Sequence, residues 1–402
     1  MCTHTSTILF RLLLCTARYC ALGLLMLGGL GCASFSSTSS PQSELDLGAA
    51  RDVADVSDAG TSTSLSAKNR PATGTKPDWD TPPVRSVAVN AANGSNALAS
   101  GIYTQLSAEP NAPKNLCFSP YAAANALALA YAGAAGATES QMAGALHLPN
   151  EQATLHPSFN ALALELQPPG QKNKTPFFTL SHALWACKNA GVQANYSDFV
   201  RHYYGGVLEA LDFERTPSQA LERINAWAAE KTNKKIIQIP MEPFFDMRLA
   251  LTNTLVIKAE WLSAFDPKDT RFAPFHCDGI ELPRVPLMHQ TRTFRYAETD
   301  ALQVLEMPFK DSAFSLCALL PKAGNTAKPA EDVLAKPETL NQCLAMLQPR
   351  RVAVAFPRIR PETYFSSPIA GLKALSVRDA FTPGVADFSG MNGVHDLYLN
   401  TL

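Results

Sequence analysis

The sequence predicts an α+β fold, with helices mainly in the earlier part of the globular region and strands mainly later. Three observations carry that expectation. Alanine- and leucine-rich stretches with helical spacing and helix punctuation cluster before residue 150. Runs rich in aromatic and β-branched residues come mostly after residue 177, and the two kinds do not alternate as a βαβ fold requires. No internal repeat interrupts the pattern.

Element by element, Ser95 is a reasonable N-cap, followed by Leu98, Ile102 and Leu106 at i, i+4, i+8 on one helical face. Pro120 opens a second helix through the run YAAANALALAY, with Gly133 and Gly136 at its far end. Its composition is apolar nearly all round, which means a buried helix, and Asn125 argues against a membrane span. Thr138 with Gln141 three residues on reads as a capping box for the next helix. After a polar loop, Phe177 to Trp185 reads as a strand, and Pro217 to Ile239 as an amphipathic helix with Leu221, Ile224 and Ala228 on successive turns. Leu249 to Trp261 reads as a long buried strand. Further strands are expected at Leu302–Met307, Phe314–Leu320 and Arg351–Phe356.

Composition narrows the function. Of 402 residues, 46% are apolar, which rules out disorder throughout. Thirty-four basic residues against 35 acidic ones leave a net charge of −1, so no basic face marks a nucleic-acid binder. A mean hydropathy of −0.04 excludes a multi-span membrane protein. There is no GxSxG elbow and no HExxH, and Gly133–Gly136 lacks the Lys-Ser/Thr of a phosphate loop. Neither hydrolase chemistry nor nucleotide binding is indicated.

Residues 1–32 read as an export signal. Arg11 and Arg18 are the charges there, and the apolar run Cys20 to Gly31 suits a signal core but falls short of the roughly 20 residues of a spanning helix. The ending Leu30-Gly31-Cys32-Ala33-Ser34 resembles the lipobox of bacterial lipoproteins, with Gly29 where that pattern prefers Leu. Cys32 is accordingly the expected lipid anchor, the alternative being an ordinary cleaved signal with an incidental cysteine. Residues 33–85, dominated by Ser, Thr, Ala, Gly, Asp and Pro, have no apolar period and are expected to be a disordered tether. The chain would then be exported, to the cell envelope or beyond. Cys117, Cys187, Cys277, Cys317 and Cys343 show no CxxC spacing and read as small buried hydrophobes, so no metal is expected.

Several blocks from about Asn96 to Leu402 resemble the serpin family. They are Asn115-Leu116-Cys117-Phe118-Ser119-Pro120, then Gly133 to Thr138 with Gln141-Met142, then Leu180 to Trp185. Ile224-Asn225-Ala226-Trp227 with Thr232 to Ile236, Asn253 to Trp261, and Leu287 to Gln290 with Phe294 to Glu298 continue the match. Asp379-Ala380-Phe381 and Ala386 to Met391 close it. The resemblance implies N-terminal helices packed on a large mixed sheet and a second, smaller sheet cluster. It implies a monomeric protein without catalytic residues or cofactor, whose partner is a serine or cysteine protease trapped by loop insertion, and a membrane contact only through the lipid. A non-inhibitory binding or scaffold domain of the same fold is the alternative.

Within that resemblance Ser119 and Asn253 correspond to the shutter, the polar cluster under the point where the sheet opens. Trp261 corresponds to the breach, where insertion begins. Ala122 stands where the family often has a second serine. On residue physics alone Ser119 is a helix cap, Asn253 a local backbone partner and Trp261 core. Lys231, Lys234 and Lys235 read as a solvated helix end, or as a polyanion site as in some relatives. The sequence ends at Asp396 to Leu402, where the family continues with a shutter histidine, an Ala-rich hinge, the reactive loop and the last core strands. Residues 86–402 are therefore expected to form a serpin-like domain lacking its central strand and bait, and an inactive one.

Overall fold

A computed structural model describes residues 13–16, 31–37, 85–108, 118–147, 152–166, 178–239, 247–277, 280–310, 312, 314–322, 326–358, 372–373 and 375–401. For β1 (Leu13–Thr16) and β2 (Gly31–Ser37) the backbone alone is described. The early helices are α1 (Arg85–Ala108), α2 (Pro120–Tyr131), α3 (Gly136–Ala145) and α4 (Gln152–Leu166). Then come β3 (Phe178–Cys187), α5 (Ala194–Tyr204), β4 (Val207–Leu211), α6 (Pro217–Lys231) and β5 (Met247–Ile257). The later part is mostly strand: β6 (Thr270–Cys277), β7 (Ile280–Glu298), β8 (Leu302–Pro308) and β9 (Phe314–Pro321). Helices α7 (Lys328–Leu334) and α8 (Pro337–Ala345), then β10 (Gln348–Pro357) and β11 (Leu397–Thr401), complete it.

Five strands form one sheet in the order β11-β2-β5-β3-β4, antiparallel except for the β3–β4 pair. The second sheet runs β1-β9-β8-β7-β10, with β6 also paired to β7. The main core joins helices and both sheets, while Val304, Cys317 and Leu319 form a smaller core with Ala330, Val333 and Leu340 of α7 and α8. Helix α2 is the most deeply buried helix, from Pro120 to Tyr131 with only Ala123 partly open, because eight of its twelve positions are Ala or Leu and it lies against β5. Cys187, Cys317 and Cys343 are buried, as small hydrophobes should be. Cys117 and the side chain of Cys277 lie outside the described residues.

Four local expectations need correction. Thr138 does not cap α3; that helix starts at Gly136, and the Thr138 hydroxyl accepts from the Asp387 N–H at 3.0 Å. Gln141 likewise accepts from the amides of Arg378 and Asp379, both at 2.9 Å, so the supposed capping box is a long-range clasp. Strand β5 stops at Ile257, short of Trp261. The polar loop before β3 contains α4, which carries Pro157 one turn inside its start and so hides its helical pattern. The expected leader and tether are described only at 13–16, 31–37 and Arg85, and there they supply β1 and β2.

The place of β2 bears on the expected missing central strand. Gly31–Ser37 pairs antiparallel with β5 on one side and β11 on the other, so neither inner edge is left open. An unpaired row of backbone groups at the centre of a sheet is costly, and a nearby segment able to take extended form relieves that cost.

Candidate functional site

The family-like polar residues converge where α2 meets β5. Pro120 at the first helical position presets the start of α2, and Ser119, in extended conformation, caps it: its Oγ accepts from the Ala122 N–H at 3.2 Å. The carbonyl of Ala122 in turn accepts from Asn253 Nδ2 at 2.7 Å. Ser119 and Asn253 thus hold opposite sides of one residue's backbone groups, and all three are buried. Ser119 is thus the helix cap that residue physics alone predicts.

Strand neighbours extend the cluster. His182 of β3 stands opposite Asn253 in the β3–β5 ladder. One residue before Asn253, Thr252 accepts from the Trp185 indole N–H at 2.9 Å. Trp185 meets Trp227 of α6 edge to face at 5.7 Å, which fastens that helix over the sheet. Helix α6 ends at Thr232, whose hydroxyl both donates to the Ala228 carbonyl at 2.7 Å and accepts from the Ile236 N–H at 3.0 Å. Asn233 and Lys234 there take positive φ, 50° and 60°, to reverse the chain. Asn225 then accepts from the Ile239 N–H at 2.7 Å. Of the basic cluster, Lys231 pairs with Glu230 at 2.9 Å, while Lys234 and Lys235 are exposed.

Behind β3 lies an aromatic chamber. His156 Nδ1 meets the Tyr204 hydroxyl at 2.7 Å, and His182 lies edge-on to the Tyr204 ring at 5.6 Å. Burial pulls both histidines down to about 3 from 6.5 and pushes the Tyr204 phenol well up, so all three are neutral at pH 7. Around them are Tyr131, Phe159, Phe199 and Tyr203. The geometry does not suit catalysis: neutral rings packed in aromatics have neither solvent access nor a nucleophile beside them.

Trp261 lies just beyond the other end of β5. It bridges to Phe309 in the backbone, stacks on that ring at 4.8 Å, and meets Phe265 and Phe356 at 6.2 and 6.1 Å. Its ring partners thus lie at the end of β8, in β10 and in the loop after β5, apart from the Ser119–Asn253 cluster. Cys32 falls within β2, and its side chain lies outside the described residues. Sequence reasoning noted Ala122 only as a lost serine, quoted His182 without a role, and passed over Thr252. A strand period read through the quoted blocks was the available signal for the last two; an alanine carbonyl gives none.

Comparison with known proteins agrees with this geometry. Residues 93–402 match the family model described as Serpin (serine protease inhibitor). The chain belongs to the serpin family. An uncharacterized serpin-like protein of Thermococcus kodakarensis is 33% identical over 307 residues, 76% of this chain and 69% of that protein. Antithrombin-III of Mus musculus is 29% identical over 399 residues, covering 95% and 83%. The structure of emu ovalbumin superposes with a TM-score of 0.69 at 24% identity, over 77% of this chain and 83% of that one, a likeness of fold. The serpin-like α+β arrangement of helices and mixed sheets is thereby established.

Proposed function

We propose that this protein is built for suicide trapping of serine or cysteine endopeptidases. In that reaction the protease nucleophile attacks the scissile carbonyl of a bait loop, the amine side of the bond leaves, and the acyl link remains. The freed strand then enters the five-stranded sheet between β5 and β11 and carries the protease with it before water can cleave the acyl bond. The single observation that supports this reading is the Ser119–Ala122–Asn253 cluster, seated under β5 beside the slot. Trp261, packed on Phe309 and Phe356 just beyond the end of β5, suits the point where insertion starts.

The same reading makes the protein an exported monomer, tethered through lipid on Cys32, with the protease as its partner. Residues 1–402 contain no Glu/Gly/Thr/Ala-rich hinge, so a polypeptide of these residues is expected to trap no protease. The test is incubation of the 402-residue polypeptide with trypsin-, chymotrypsin-, subtilisin- and papain-like enzymes, followed by denaturing electrophoresis. No SDS-stable complex is expected from it; one such complex would overturn the placement of the bait. One observation favours the alternative, a non-inhibitory binding or scaffold domain: β2 already fills the slot between β5 and β11.

A further inference from the structure

The foot of the slot carries an ion pair that the family comparison does not account for. Strand β2 pairs Phe35 with Leu249 and Ser36 with Met247, so the register slips at Arg248, which has no partner in β2. A bulge of this kind re-aims a side chain out of the regular alternation. Arg248 Nη1 reaches Asp396 Oδ2 at 3.4 Å, one residue before β11 begins. Its Nη2 donates to the Asn189 carbonyl at 2.9 Å, just beyond β3, and Asn392 Nδ2 donates to Asp396 Oδ1 at 2.7 Å. Three segments that are far apart in sequence meet at this one pair.

The distances give the pair a task. Strands β5 and β11 both pair with β2, so they lie two strand spacings apart, about 9.5 Å. An extended arginine and an aspartate together cover such a gap; shorter pairs do not. With the two side chains 20% and 28% exposed, the pair is shielded from most solvent and less screened than a surface bridge. It lies at the level where β2 ends, with Ser37 opposite Leu397.

We propose that Arg248 and Asp396 form a tie across the foot of the slot, fixing the spacing of β5 and β11 and limiting how far down an inserted strand can run. This deepens the trapping reading and rests on it for its purpose, since a tie matters where a strand enters between those two neighbours. Neither residue touches a reacting atom; both are positioning residues.

Hydrogen exchange read by mass spectrometry on the full 402-residue chain tests the tie. Arg248→Met and Asp396→Asn should each speed exchange of the Met247–Leu249 and Leu397–Leu399 amides by about tenfold, the scale of a contacting charged pair, and leave β8 unchanged. The exchanged pair, Arg248→Asp with Asp396→Arg, should bring the rates back toward wild type. Single variants that exchange at wild-type rates, or a swap that restores nothing, would overturn the tie. Should one of these variants fail to fold, a milder pair decides: Arg248→Gln should speed exchange at the foot by about tenfold while Arg248→Lys, which keeps the charge, stays within about threefold of wild type, and equal rates in the two would sink the proposal. This readout is independent of protease complexes, so the tie and the trapping reaction can fail separately.

Discussion

Acid should weaken this fold through two histidines, and the size of the effect follows from their burial. His156 and His182 are held near pKa 3 when folded, against 6.5 when exposed, because the aromatic chamber offers a charged ring no solvation. The folded state therefore binds fewer protons than the unfolded one at any pH below about 6.5. Stability is full above that value and is lost as pH falls through the window from 6.5 to 3. Between pH 7 and pH 5 each histidine should remove about 2 kcal/mol, and the two together about 4 kcal/mol. That is a large share of the 5–15 kcal/mol typical of a domain, taken roughly from general experience. The perturbation is His156→Gln with His182→Gln; the first keeps an amide able to reach the Tyr204 hydroxyl. Urea unfolding at pH 7 and pH 5 reads both proteins, provided each transition is cooperative. The double variant should lose far less on acidification than the wild type. His202, also lowered by desolvation, remains in both proteins and cancels. Equal losses in the two proteins would refute the buried-histidine argument.

Other changes have expected outcomes. Asn253→Ala leaves the Ala122 carbonyl without its 2.7 Å donor and should cost about 1–3 kcal/mol by urea unfolding; a change under about 0.5 kcal/mol would remove Asn253 from the cluster. Gly133→Ala puts a methyl into the Met391 side chain, at the point where Gly390 N–H donates to the Gly133 carbonyl at 3.0 Å, and should cost about 1–3 kcal/mol in the same assay. Metabolic labelling with a clickable fatty acid should mark the wild type and spare Cys32→Ala; equal labelling would remove the anchor.

How much the sequence revealed depended on how local each feature is. Helix α2 was legible because proline, a capping serine and an apolar run lie side by side. Strands β8, β9 and β10 were legible from dense apolar runs of ordinary length. Helix α4 was hidden by Pro157, and β7 by its length, 19 residues with prolines and exposed polar positions. Of the site, Ser119 and Asn253 were named on resemblance, but their link through Ala122 is a backbone contact across 131 residues that no local pattern encodes. Thr138 and Gln141 misled for a related reason: their spacing suits a cap, while tertiary packing gives them partners more than 200 residues away. Arg248 and Asp396, 148 residues apart, left no trace in either segment.

Strand insertion between β5 and β11 is the centre of this account, and a protease challenge tests it most directly. The 402-residue polypeptide should be compared with any longer product its gene encodes past codon 402, against the same panel of serine and cysteine proteases. The shorter polypeptide should give no SDS-stable complex, and a longer product, bearing hinge and bait, should give one. A complex from the shorter polypeptide, or none from a longer product that carries a hinge, would contradict this expectation.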